Sequence, residues 1–396
     1  MTRYYNAAIL LLIWSIFFHL LRNISGAYVA LQGGVFVLCA ILFYCRYELL
    51  KSEGLLIVVL FSLSFYVVTL SVIYNEQYGE AAPGIFRFIS LIISLLSALI
   101  IVRSGKVGLF WRCFSLFVAL CALSLYFQFV FGAIGWFAEA SERAGFSRYA
   151  SLAGSLTVYG VVCGMAIISS FYYFMGWKRI FLIAVIVSGG FISLQKAAIA
   201  NVVLAAICIA VMQKVSFRNV FRHGLMIVVL GILVLWSSGL TDIAEIAFKS
   251  SVGAAGDGLQ SDVSLLQSAF DRLVELPGIV FDFYGFNRMF WGVGVFGGAG
   301  SLGYSELPMM HNAYFDIVSI AGIPVFIGLL LYFFSLLWKA YRYWRSGAIH
   351  HVETKVVILI FFMSMVNMFF ASGNFFQPVI AIVLWVSVIC VARLRM

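Results

Sequence analysis

The sequence predicts an all-α fold: a polytopic integral membrane helix bundle of about twelve transmembrane helices, with one large loop on the non-cytoplasmic side carrying short amphipathic helices. Three observations carry that expectation. Of the 396 residues, 64% are apolar and only 10% charged, well below the charge of a soluble globular chain. The mean hydropathy of +1.07 leaves more apolar surface than a single core could enclose, so lipid is the expected solvent. The apolar residues are also gathered into runs near the length of about 20 that crosses the hydrocarbon as a helix.

The runs fall at 5–22, 27–45, 54–74, 85–102, 108–131, 151–175, 180–194, 197–212, 224–240, 311–338, 356–371 and 377–392. Arg22 and Asn23 follow the first run where a signal peptide would carry small residues, so that run is expected to stay as a helix. The seventh and eighth are short and meet at Gln195–Lys196, in a tight or partly re-entrant turn. Three regions result: an N-terminal transmembrane bundle over 1–240, a large loop over 241–310, and C-terminal transmembrane helices over 311–396. All seven cysteines (Cys39, Cys45, Cys113, Cys121, Cys163, Cys208 and Cys390) lie inside apolar runs, where they read as small packing residues rather than a disulfide framework.

Orientation follows from lysine and arginine in the short loops. With the N-terminus inside, Arg46, Lys51, Arg103, Lys106, Arg112, Lys178, Arg179, Lys214, Arg218, Arg222, Lys339, Arg342, Arg345 and Lys355 all fall on one side. Most acids, including Glu76, Glu80, Glu139 and Glu142, fall on the other. Both termini are therefore expected in the cytoplasm. Most of the net charge of +9 is topogenic in this reading, and nucleic acid is not an expected partner. Arg22, Arg87, Arg143, Arg148, Lys196, Lys249, Arg272 and Arg288 remain on the disfavoured side or in spans. Such cations are functional candidates; the alternative is snorkelling to the interface, or pairing with acids such as Glu142 and Asp271.

Within the loop, Val263–Leu276 sets Leu265, Leu266, Ala269, Leu273 and Leu276 on one helical stripe, which predicts a helix at the bilayer surface or against the bundle, ended by Pro277. A glycine-rich stretch, Phe290 to Gly300, follows; it permits close backbone approach and could offer free amides to an anion. His311-Asn312 then opens the tenth span, with Gly322-Ile-Pro324 inside it.

The order Arg272, Gly292-Val-Gly294, His311-Asn312-Ala-Tyr-Phe-Asp316, Gly322-Ile-Pro324 resembles the O-antigen polymerase and ligase superfamily of bacterial membrane glycosyltransferases. Arg143-Ala-Gly-Phe-Ser-Arg148, leading into a span, and Ser193-Leu-Gln-Lys196, with lysine where many members have arginine, are similar to two further family patterns. The resemblance implies a glycan moved from an undecaprenyl-diphosphate donor to an acceptor hydroxyl on the periplasmic side of the inner membrane. That chemistry needs a cationic clamp and a base. Arg143, Arg272, Arg288 and Lys196 are the expected diphosphate ligands, with Arg87 and Arg148 as weaker contacts.

His311 is the expected base, since it is the one histidine placed outside, and the dipole of the helix it opens favours a neutral imidazole. A capping or interfacial histidine is the alternative. Asn312 and Asp316 are expected to orient the imidazole or the acceptor. No residue pattern has metal-ligand spacing, so no metal and no cofactor is expected. The expected partners are lipid-linked oligosaccharides, the bilayer, a chain-length regulator and a flippase. A polymerase is favoured over a ligase that would use lipid A core as acceptor. A twelve-span transporter or flippase is the rival of another class; the largest loop lies outside, and no half-to-half symmetry is visible.

Overall fold

The computed structural model describes residues 2–17, 25–46, 51–74, 81–134, 140–143, 146–154, 156–213, 271–294, 312–347, 351–369 and 377–394. The expected ninth span, the loop up to residue 270, the glycine stretch beyond Gly294 and His311 lie outside them. Of the described residues, 86% are helical. In chain order they form α1 (Thr2–Phe17), α2 (Ser25–Arg46), α3 (Lys51–Tyr74), α4 (Ala81–Arg103), α5 (Val107–Phe131), β1 (Ala140–Arg143), β2 (Phe146–Tyr149), α6 (Val158–Tyr173), α7 (Gly176–Ile192) and α8 (Lys196–Met212). A π-helical turn (Asp271–Glu275) then leads into α9 (Leu276–Trp291), followed by α10 (Ala313–Ala321), α11 (Ile323–Arg345), α12 (Val352–Asn367) and α13 (Pro378–Ala392).

Among the described residues, three stretches are long and apolar enough to cross a membrane: Gly54–Ile73 in α3, Val107–Phe131 in α5, and Ile323–Arg345 in α11. Ala30–Leu42, Ser90–Arg103, Val158–Tyr173, Ala197–Met212 and Pro378–Ala392 are shorter apolar helices. Three serine hydroxyls in these stretches are satisfied within their own helix, as an apolar solvent favours. Ser71 bonds the Val67 carbonyl at 2.7 Å, Ser94 bonds Ser90 at 2.8 Å, and Ser387 bonds Val383 at 2.9 Å, each one turn back.

The chain packs as two compact units. The first gathers α1, α5, the hairpin, α6, α7, α8 and most of α12. Its centre is α6, buried at every residue from Val158 to Ser170. Small residues let the neighbours close in. A Cβ on Gly164 would fall 2.5 Å from the Asn201 carbonyl oxygen of α8, and one on Gly189 would fall 2.6 Å from Ala122 Cβ of α5. Ser169 on α6 donates to the Trp111 carbonyl at 2.7 Å, while Ser115 and Ser169 bond across α5 and α6 at 2.8 Å.

The second unit gathers α3, α4, α9, α10, α11, α13 and most of α2. Here α4 and α13 lie along one another. The facing residues are apolar and enclosed, Leu91–Leu95 and Ala98–Val102 against Val379–Ile389. Cys39 and Ser97 join α2 to α4 at 3.2 Å, and Lys339 ties α11 to the Ala392 carbonyl at the end of α13 at 2.6 Å.

Three expectations are corrected, and one further feature is new. The sixth span begins at Val158 rather than 151, and an antiparallel hairpin pairing Ala140 with Tyr149 and Arg143 with Phe146 precedes it. The tenth span is not one helix over 311–338: it breaks at Gly322, whose φ of 89° and ψ of 164° suit glycine alone. Pro277 does not end a helix but stands in the first turn of α9. Proline lacks the N–H that would reach the carbonyl four residues back, and its ring crowds that carbonyl, so the turn before it widens into the π-helical Asp271–Glu275. Finally, α9 is itself kinked at Gly285, with φ 72° and ψ 160°.

Candidate functional site

In the second unit the motif residues gather where α9 ends and α10 gives way to α11. Gly292, Val293 and Gly294 run across the end of α10. The Gly292 amide closes α9 on the Arg288 carbonyl at 2.8 Å. The Val293 amide donates to the Ser319 carbonyl at 2.7 Å, and the Gly294 amide donates to the Ile320 carbonyl at 3.1 Å. These carbonyls belong to the last turn of α10, which has no helical partners of its own. The expectation of free amides is therefore corrected at these three positions: the amides complete a broken helix instead of awaiting an anion.

Close backbone approach is why glycine stands at each position. A Cβ on Gly292 would lie 2.7 Å from the Gly322 nitrogen and 2.8 Å from the Ile320 oxygen. One on Gly294 would lie 2.5 Å from Ser71 of α3, and one on Gly322 would meet the Phe290 and Trp291 carbonyls. Gly292-x-Gly294 and Gly322-Ile-Pro324 are thus two halves of one contact.

At its other end α10 begins on Asn312, which is fully buried. Its side-chain oxygen accepts from the amides of Tyr314 at 3.0 Å and Phe315 at 3.4 Å, and its carbonyl accepts from Asp316 at 3.0 Å. The Ala313 amide donates to the Met368 carbonyl at 2.8 Å. Every amide of this first turn is thereby occupied. Asn312 acts as a helix cap. Asp316 lies one turn along, half-exposed. Tyr314 donates to the Met365 carbonyl at 2.9 Å and its ring lies 4.5 Å from Phe369. The start of α10 is consequently pinned to the end of α12 by main chain and ring together.

The predicted cations are spread over the fold. In the second unit Arg272 lies in the π-helical turn before α9 and Arg288 in the last turn of α9, so the two stand at opposite ends of one helix. Arg288 is exposed. Arg87 falls in the first half of α4. In the first unit Arg143 ends β1, and Arg148, half-buried on β2, stands opposite Ser141. Lys196 begins α8.

The turn before Lys196 is built from side-chain amides. Gln195 accepts from the Gly160 amide at 2.7 Å and donates to the Leu156 carbonyl, inserting itself between two groups of the α6 start. Asn201 donates to Gly160 and Ala197 carbonyls at 3.0 and 2.9 Å. Leu194, just before Gln195, takes a left-handed φ of 51°. Sequence reading singled out Ser193 and Lys196 here and passed over Gln195 and Asn201. The signal was available: an amide side chain in an apolar run must have a partner. Tyr66, which donates to the Trp291 carbonyl, left no such signal, since a tyrosine is at home in any span. Among the described residues no group of three or more His, Cys, Asp or Glu side chains stands close enough to hold a metal.

Comparisons with protein-family models, with curated proteins and with solved structures find no match to this chain.

Proposed function

We propose that this chain is a membrane glycosyltransferase, a polysaccharide polymerase of the O-antigen type. It moves a glycan from undecaprenyl diphosphate to the hydroxyl of a second lipid-linked repeat unit at the periplasmic face of the bacterial inner membrane. In this reading it crosses the membrane about twelve times with both termini in the cytoplasm. One observation carries the proposal. The first glycine motif of the resemblance bonds to the last turn of α10 at 2.7 and 3.1 Å and lies in close backbone contact with Gly322 of the second, and the Asn312 cap that follows His311 begins that helix.

In the reaction the acceptor oxygen forms a bond to the anomeric carbon as the bond from that carbon to the diphosphate breaks. His311 takes the acceptor proton, and the diphosphate departs with the bonding electrons, neutralised by arginine. The first turn of α10 has no amide to spare, so a guanidinium group such as that of Arg272 supplies that charge in this reading. Carrier chemistry finds less support. The broken helices of transporters leave terminal groups for ions, whereas the Ser319 and Ile320 carbonyls at this break are taken by the chain itself.

His311→Ala and Arg272→Ala are expected to abolish long glycan chains while the protein stays inserted and abundant. Normal chains from the His311 variant would refute the proposed base. A deletion strain separates the acceptors: loss of a polymerase leaves cores capped with one repeat, whereas loss of a ligase leaves cores bare and accumulates lipid-linked polymer. Lipid-linked units stranded on the cytoplasmic leaflet would indicate a transporter instead.

A further inference from the structure

The most unusual surface of the second unit is the outer side of α9. One side of this helix is enclosed: Val280, Tyr284 and Met289 form a small core with Val293 and Val318. The other leaves Ile279 43%, Phe283 52%, Phe286 66% and Trp291 59% exposed, with Arg288 beside them. A helix bathed in water seldom exposes so many large apolar side chains, which here lie on both sides of the kink at Gly285.

The depth of that strip is fixed by what α9 touches. Trp291 is held through its carbonyl by the Tyr66 hydroxyl, and Gly294 lies against Ser71. Both partners belong to the apolar stretch Gly54–Ile73 of α3. At 1.5 Å of rise per residue, Tyr66 is about 10 Å and Ser71 about 3 Å short of the end of that stretch. Gly292 meanwhile abuts Gly322, immediately before α11, the second span-length helix of this unit. The end of one spanning helix and the beginning of another therefore meet the same four residues, and together they mark a membrane boundary. At that level α3 turns Phe65 (76% exposed) outward and α11 turns out Ile327 and Leu331, so the strip on α9 continues a lipid-facing surface.

We infer that α9 is a membrane-interface helix, its Phe283, Phe286 and Trp291 side sunk among acyl chains and Arg288 meeting the phosphate of an acidic phospholipid. Aromatic side chains flanked by arginine are suited to the zone between headgroup and hydrocarbon. The inference rests on the membrane reading of the chain and is independent of glycan transfer.

The test places p-benzoyl-phenylalanine at Phe286 of the full chain, with the same probe at Phe65 of α3 as the reference, in vesicles of phosphatidylethanolamine and phosphatidylglycerol. After illumination, mass spectrometry should find phospholipid adducts at both positions, and Arg288→Glu should lower the phosphatidylglycerol share at position 286 at least twofold. Lipid adducts at Phe65 combined with peptide adducts or none at Phe286 would overturn the inference. An unchanged phosphatidylglycerol share in the Arg288 variant would overturn the assignment of Arg288. Adducts at neither position would overturn both the inference and the membrane reading beneath it.

Discussion

Replacing Gly322 with alanine is expected to destabilise the second unit severely. The backbone there has φ 89° and ψ 164°, a region from which side chains are excluded; holding it costs about 1–3 kcal/mol. The added Cβ would also press on the Phe290 and Trp291 carbonyls. Relief requires the two backbones to part, which stretches Val293 N–Ser319 O at 2.7 Å and Gly294 N–Ile320 O at 3.1 Å. Each of those bonds contributes about 0.5–1.5 kcal/mol. The total loss is then about 2–6 kcal/mol. Gly328 of α11, six residues on, has nothing within 4 Å of its Cβ position and serves as the control. Cys39, Cys113, Cys121, Cys163 and Cys208 are buried, so a thiol-reactive fluorogenic dye reports unfolding in detergent. Gly322→Ala should lower the midpoint by many degrees and Gly328→Ala should leave it nearly unchanged. Equal midpoints for the two variants would refute the account of the break as a close backbone contact.

The same dye assay checks the other expectations. Gln195→Ala deprives the Gly160 amide and the Leu156 carbonyl of their partner; at about 1–3 kcal/mol per stranded group, the midpoint should fall clearly, and Gln195→Glu, which keeps the acceptor, should fall less. Asn312→Ala removes a cap worth about 1 kcal/mol, which Asn312→Ser should largely restore. A serine variant as unstable as the alanine variant would point to a role other than capping. Gly285→Ala meets no neighbour, so its loss of about 1–3 kcal/mol is pure backbone strain, and a wild-type midpoint would mean that α9 straightens without penalty.

How far the sequence could be read depended on what the solvent demands. Helices α2, α3, α5 and α8 fall close to the expected segments because a backbone in lipid must bond within itself. Their packing partners were illegible: where every face of a helix is apolar, periodicity says nothing about which face meets protein. Gly322-Ile-Pro324 was visible as a motif but not as a break, since proline is equally at home in the first turn of a new helix and at a kink in a continuous one. The hairpin was not legible: Ala144-Gly145 is not a favoured two-residue turn pair, the flanking segments lack alternating β-branched residues, and Arg143 drew attention to charge instead. At the candidate site the residue types were legible and their division of labour was not. Asn312 beside a histidine suggests chemistry, and only its contacts with Tyr314 and Phe315 make it a cap.

On the membrane reading proposed above, helix α6 answers to two environments in succession. On its way into the bilayer it has to be greasy enough to leave water alone; once its neighbours arrive it never touches a fatty acid again, because everything from Val158 to Ser170 faces protein. The first stage rewards bulk and the second forbids it at Gly160 and Gly164. Enlarging those positions should therefore yield a chain that inserts normally and then fails to assemble, so that biogenesis and folding of this protein can be pulled apart by a single methyl group.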